Sequence, residues 1–181
     1  MTGTNLESLM DMLASKKGAI RMKARKSLVV LGKLAVPLLI RVLQNSKFDH
    51  LRWEAAKSLG VIGDVKSIPS LVKALEDSDI DVAWLAAKAL QKFKKAAWPA
   101  LLHALTKCKE DSVSLRNGAH HVLVDQKEDG FNDLLRNLSV ALKSSAAPEL
   151  TVIAADELLK RMKAKNHEQS FTDAKRNILD Q

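Results

Sequence analysis

The chain has 181 residues, and 46% of them are hydrophobic, so it can bury a sizeable core as one domain or one short repeat array. Seven glycines, four prolines and no tyrosine leave few turn and strand formers, which excludes a β-sandwich or barrel and favours an all-α fold. Cys108 is the single cysteine, which excludes a disulfide framework and a multi-cysteine metal site and fits a reducing, cytoplasmic compartment.

The first segment of the chain is predicted to be an amphipathic helix that caps the N-terminal end of the fold. Its apolar residues fall at helical spacing: Leu6, Leu9, Met10 and Leu13. Glu7 and Asp11 interrupt this apolar stretch, so we expect residues 1–18 to be neither a signal peptide nor a membrane anchor. No stretch elsewhere approaches the roughly 20 continuous apolar residues of a membrane helix, and no membrane association is expected.

The net charge of +8 is concentrated near the N-terminus. Residues 1–50 hold nine Lys or Arg against three Asp or Glu, whereas residues 101–150 hold six against seven. The densest basic run consists of Lys16, Lys17, Arg21, Lys23, Arg25 and Lys26. Such a run is usually a solvated helix face, and as a patch it would add to a nucleic-acid-binding surface; both interpretations stay open.

Residues 51–81 form the clearest structural unit. Apolar and small residues lie at a spacing near 3.6 and predict a first helix, helix A, with one buried stripe: Leu51, Ala55, Ala56, Leu59 and Ile62. Gly63 and Asp64 break this helix, and Pro69 suits the first turn of a second one, helix B. Leu71, Val72 and Leu75 are the predicted inward face of helix B.

This unit recurs on both sides of itself with a period near 31 residues. Residues 82–90 overlay residues 51–59 one for one, and residues 24–43 repeat the same pattern earlier in the chain. A weaker fourth copy starts at Leu115, and a fifth helix A fits Leu150, Ala154, Ala155 and Leu158. Two helices per period indicate an α-solenoid, whose units cover each other's apolar faces by stacking.

The C-terminal residues 161–181 are not expected to form part of the repeats. Residues 163–169 are polar and are predicted to be a break. A short last helix that closes the end of the array is predicted from four apolar residues: Phe171, Ala174, Ile178 and Leu179.

The strings LRWEAAKSLGVIGDVKSIPSLVKALEDSD and VAWLAAKALQKFKKAAWPALLHAL resemble HEAT repeats, of the short type found in phycobilisome lyases and in many bacterial and archaeal scaffold proteins. The resemblance implies a right-handed α-solenoid of four to five two-helix repeats over residues 19–160, with an N-terminal capping helix. It also implies that the B helices line a concave surface. Fold does not determine function, so the function has to be argued from a site.

Overlaying the units reveals one column of basic residues on the B helices. It consists of Arg41, Lys73, His103 and Arg136. With the geometry that the resemblance implies, these residues form a ladder along the concave surface with steps on the order of 10 Å, suited to a polyanion or an acidic protein segment. The alternative is that this position, between buried leucines, merely has to be polar on a solvated helix.

These features are compatible with three functions. The first is a non-enzymatic scaffold that binds an acidic protein partner, of unknown identity, on the concave face. The second, from another class, is a nucleic-acid binder that uses Arg41, Lys73 and Arg136 together with the basic run. The third, a lyase-like chaperone for a tetrapyrrole, is supported by the repeat type alone.

No catalytic, cofactor or metal site is expected. The chain has no glycine-rich phosphate loop, nucleophile elbow or paired-carboxylate arrangement. Deoxyhypusine hydroxylases, which are HEAT-repeat enzymes, use several His-Glu pairs, whereas this chain has only His167-Glu168. His120 and His121 point about 100° apart on a helix, so they cannot share one metal ion comfortably. In the repeat register His120 takes the place of the buried Ala56, so we predict a packed His120 and a solvated His121.

Cys108 and the tryptophans have simple structural interpretations. Cys108 is expected to be incidental, although its flanking lysines could lower a thiol pKa. Trp53 and Trp84 occupy the same position of helix A and are expected to pack between units, with a role as interface anchors as the alternative.

Overall fold

The computed structural model describes the backbone of residues 3–107, 112–144 and 148–179, and the side chains of residues 6–107, 112–144, 148–168 and 170. Within these ranges the chain forms α-helices and short 3₁₀ turns and no strand, which confirms the all-α prediction. The helices are α1 (Gly3–Leu13), α2 (Gly18–Leu31), α3 (Val36–Asn45), α4 (Asp49–Ile62), α5 (Ile68–Lys73), α6 (Ile80–Phe93), α7 (Trp98–Lys107), α8 (Val113–Leu123), α9 (Asn132–Lys143) and α10 (Pro148–Leu179). Cys108 lies outside the described residues.

Four helical hairpins form the α-solenoid in the described part of the chain, and they are the predicted units. Units one to four are α2–α3, α4–α5, α6–α7 and α8–α9, and α1 packs on α2 ahead of them. The A helices α2, α4, α6 and α8 pack side by side in that order. The equivalent leucines of these four helices are all buried, so one apolar core runs through the array: Leu28, Leu59, Leu90 and Leu123.

The turn between the two helices of a unit needs a positive φ angle. Gly32 (φ 58°, ψ −131°) ends α2, and Gly63 (φ 71°) ends α4, as the predicted break requires. In unit three the same position is Lys94, with φ 50° and ψ −135°. A side chain in this conformation is strained, since the region is populated mainly by glycine.

The C-terminal helix α10 corrects the predicted break. The helix is continuous from Pro148 to Leu179, so residues 163–169 are helical. The break prediction was wrong because polarity was taken as a stop signal, whereas Lys, Ala, Glu and Gln are good helix formers and this stretch has no glycine or proline. The side chains of Phe171, Ala174, Ile178 and Leu179 lie outside the described residues, and so does the predicted closure of the array by them.

The helix α10 also packs differently from a fifth helix A. It packs mainly against α7 and α9, rather than on α8, where the next A helix would lie. Arg161 Nη1 donates to Asp133 at 2.6 Å, which fixes the helix beside the start of α9. The physical reason is a wide buried stripe, apolar except for Thr151, that faces two helices at once and consists of Thr151, Ala154, Ala155, Leu158, Leu159 and Met162.

No single helix in the described part of the chain is long and apolar enough to cross a membrane. The bent pair of Gly18–Leu34 and Val36–Asn45, with an angle of 118° between its arms, reaches that length and composition only when its two arms are taken together.

Candidate functional site

The four residues of the predicted ladder are all exposed. Arg41, Lys73, His103 and Arg136 each stand between buried leucines on their own helix. Lys73, for example, lies between Leu71 and Leu75, which are at most 1% exposed. Within the described ranges, the side chains of these four residues make no hydrogen bond or ion pair. The B helices therefore present these groups to solvent.

The ladder is continuous over three of its four residues. Helix α3 contacts α5, and α5 contacts α7, so Arg41, Lys73 and His103 lie on adjacent helices. Helix α9 packs instead against α8 and α10, so Arg136 is set apart from His103. Lys73 lines a groove of about 270 Å³ between α3 and α5, where Gln44 donates a hydrogen bond to Ser70 at 3.0 Å.

The N-terminal basic run divides into two sets. Arg25 Nη1 donates to Oε2 of Glu54 at 2.6 Å, and Arg21 Nε lies 3.5 Å from Oε1 of the same carboxylate. Glu54 is only 3% exposed, and a buried carboxylate requires such partners. The remaining lysines are exposed: Lys16, Lys17, Lys23 and Lys26. A signal for this pairing was present in the sequence, since Glu54 interrupts helix A where unit three has Leu85.

A repeated arginine, which the sequence analysis missed, holds the connections between helices. Arg21, Arg52 and Arg116 occupy one equivalent position of helix A. Their Nη1 atoms donate to backbone carbonyl oxygens next to the ends of other helices. Arg21 donates to Ser15 at 3.0 Å and Arg52 to Ser46 at 3.0 Å, both just after the preceding helix, and Arg116 donates to Ser144 at 2.6 Å, just after α9. In unit three the same position is Ala83.

Arg52 makes the most complete set of these contacts. Its Nε and Nη2 donate to the two carboxylate oxygens of Asp77, both at 2.7 Å, and both side chains are nearly buried. These hydrogen bonds raise the pKa of the Arg52 guanidinium above its ordinary value. The geometry is the bidentate fork that arginine and carboxylate form best.

A groove of about 420 Å³ opens between α6 and α8. Its walls are Ile80, Ala83, Trp84 and Ala87 from α6 and Ser114, Asn117, Gly118 and His121 from α8. Trp84 is 51% exposed here, which differs from the expected packing between units. Trp53 is partly buried, with Lys57 Nζ lying 4.3 Å from its ring centroid. We refer to the α6–α8 cavity as the unit-three groove.

His120 and His121 behave as the overlay predicts. His120 is partly buried and His121 is exposed. Burial lowers the pKa of His120 below its ordinary value of 6.5, and the nearby Lys143 and His121 lower it further, against an opposing effect of Asp125. The described residues contain no group of three or more His, Cys, Asp or Glu that could hold a metal ion.

The lowered pKa of His120 predicts a loss of stability in mild acid. The unfolded chain binds a proton on this imidazole at a higher pH than the folded chain does, so stability falls as pH drops below about 6.5 toward the folded pKa. We expect the urea midpoint to fall between pH 7.5 and pH 5.5, and to fall less in His120→Ala. An unchanged pH dependence in His120→Ala would contradict the assignment.

Comparisons with known proteins agree with this geometry. Residues 36–123 match the family model described as HEAT repeats. A chain in the solved complex of CpcE and CpcF of phycocyanin lyase from Nostoc sp. PCC7120 superimposes with a TM-score of 0.56 at 22% sequence identity, over 84% of this chain and 98% of that one. A comparison with curated protein sequences finds no match. Residues 36–123 are therefore similar to HEAT repeats, and the α-solenoid is the fold that such repeats build.

Proposed function

We propose that this protein is a non-enzymatic interaction module that binds an acidic segment of a partner protein on the face of its B helices. The observation that supports this most directly is the row of exposed and unpaired basic positions on adjacent helices, Arg41, Lys73 and His103, with Arg136 beyond them. The buried leucines around them hold the helices rigid, so the side chains are presented on a fixed frame.

The spacing of the row restricts the partner. Packed helices lie about 10 Å apart. An extended peptide covers this distance in about three residues and an α-helix in about seven. The partner is thus expected to carry acidic side chains at one of these two intervals. Charges on such an open face increase the association rate and the specificity more than the affinity.

A protein partner is favoured by the fold neighbour, because that chain comes from a complex of two proteins, CpcE and CpcF. The same neighbour belongs to a phycocyanin lyase, so it does not itself favour a protein without enzymatic activity. That this chain is non-enzymatic is therefore a part of our proposal. The non-enzymatic assignment is supported by the ladder residues, which offer charge but no nucleophile beside a base.

The test is a charge reversal with a matched control. The double variant Arg41→Glu with Lys73→Glu reverses the charge of the ladder in units one and two. Lys33→Glu with Lys66→Glu makes the same change in net charge in the exposed turns of the same two units. Immobilised protein is incubated with native cell extract, and the captured proteins are quantified by mass spectrometry. We expect the ladder variant to capture the partner at least tenfold less, with an unchanged melting temperature, and the control to capture it normally.

The same experiment addresses nucleic acid as the ligand. Nuclease treatment of the extract should leave the captured partner unchanged. If capture disappears with nuclease, and if binding of purified RNA or DNA weakens with salt at a log-log slope of about −0.9 per phosphate contact, the B-helix face binds nucleic acid instead. Equal capture by the ladder and control variants would remove the face assignment altogether.

A further inference from the structure

The unit-three groove exists where the repeated arginine is missing. In units one and two, the arginine at this position donates to the carbonyl oxygen six residues earlier, from Arg21 to Ser15 and from Arg52 to Ser46. Six residues before Ala83 is Asp77, which lines the groove together with Ala83. No described residue donates to the Asp77 carbonyl oxygen. The repeat thus supplies the acceptor in unit three but not the donor.

We propose that the unit-three groove binds an arginine side chain of a partner polypeptide. The incoming guanidinium takes the place that Arg21 and Arg52 fill in their own units, and it donates to the Asp77 carbonyl oxygen. The guanidinium of Arg21 and that of Arg52 each donate to a backbone carbonyl oxygen in their own units, and an incoming guanidinium can donate to the Asp77 carbonyl oxygen in the same way. Trp84 forms one wall and is half exposed, and Lys88 Nζ lies 5.5 Å from its ring centroid, so an incoming guanidinium shares the ring with this ammonium or displaces it.

One carboxylate lines the groove, that of Asp77. Asp77, Asp79 and Asp81 follow one another along the loop and first turn that lead into α6. Asp77 is paired with Arg52, and Asp79 caps α6 by accepting from the amide of Val82 at 3.0 Å. Asp81 is exposed and, within the described part of the chain, has no ion-pair partner. Asp79 and Asp81 line a different pocket, together with Arg21 and His50, so Asp77 supplies the only carboxylate among the residues that line the groove.

The size and the apolar rim indicate a peptide rather than a free guanidinium compound. The cavity of about 420 Å³ exceeds the volume of one side chain. Ile80 lies on its rim and is 82% exposed. An apolar residue next to the arginine would bury this surface. The site lies on the A helices, so it does not depend on the proposed role of the B-helix face.

The test uses the full chain and two matched peptides. Acetyl-Leu-Arg-Leu-amide and acetyl-Leu-Lys-Leu-amide are titrated into the protein by calorimetry, with acetyl-arginine amide as a third ligand. We expect the arginine peptide to bind at least tenfold more tightly than the lysine peptide and than acetyl-arginine amide. Equal affinity of the two peptides overturns the guanidinium assignment, and equal affinity of acetyl-arginine amide shows that the site takes a small molecule instead.

Variants of the groove separate this site from general surface binding. Ala83→Arg restores the arginine of the repeat, so it should raise the melting temperature and abolish binding of the arginine peptide. Ala83→Met fills the space without a guanidinium and should also abolish binding, which keeps the test valid if Ala83→Arg misfolds. Ala164→Arg makes the same change on the exposed part of α10 and should bind normally. Tight binding by either folded Ala83 variant overturns the proposal.

Discussion

Replacing Arg52 by alanine is expected to lower the free energy of unfolding by about 3 kcal/mol, at the lower end of the range for breaking a buried ion pair. The change leaves the carboxylate of Asp77, which is 9% exposed, without its bidentate partner, and it also leaves the carbonyl oxygen of Ser46 without a donor. Urea denaturation followed by circular dichroism measures the loss.

Two further variants identify the cause of this loss. Arg41→Ala removes an exposed arginine and should change stability by less than about 0.5 kcal/mol. Arg52→Lys keeps the charge but not the fork, so it should fall between the wild type and Arg52→Ala. If Arg52→Lys is as stable as the wild type, the charge alone holds the connection and the bidentate geometry is unimportant.

Replacing Trp98 by alanine should cost about 4 kcal/mol, because the change opens a large cavity in the core. Trp98 is 1% exposed and its ring packs edge-on against Phe131, with the ring centroids 5.8 Å apart. Its Nε1 also donates to the side-chain oxygen of Gln126 at 2.6 Å. The contact joins the start of α7 to the start of α9, so its loss should also weaken the last unit.

Variants at Trp84 and at Trp98 itself provide the controls. Trp84→Ala removes a ring that is half exposed and should cost much less than Trp98→Ala in the same denaturation experiment. Trp98→Phe keeps an aromatic ring but loses the hydrogen bond to Gln126, so an intermediate cost is expected. A cost for Trp84→Ala equal to that of Trp98→Ala would mean that the unit-three groove is closed in solution.

The periodicity of the sequence was sufficient to predict the units of the solenoid. Small and apolar residues at Ala55, Leu59, Leu71 and Leu75 recur at nearly constant intervals, and each copy must bury the same face, so the pattern determines both helices of a unit. The ladder positions also follow from this register, because a polar residue between buried leucines has to point to solvent.

Contacts between elements that do not repeat could not be predicted in this way. The stripe of α10 shows that one face is buried but not which helices bury it, so its packing on α7 and α9 was missed. The pairing of Arg21 and Arg25 with Glu54 depends on residues outside the shared pattern. The unit-three groove could have been found from the sequence, since Ala83 is the exception in a column that otherwise contains arginine.

The strained turn at Lys94 has a consequence for cooperative folding. Unit three lacks the arginine clamp and carries a backbone conformation that disfavours its side chain, so its intrinsic stability should be the lowest of the four. In a linear array each unit depends on its neighbours for the rest of its stability. Because this unit lies in the interior, its opening would divide the array into pieces too short to fold alone, and the whole domain is expected to unfold in one step.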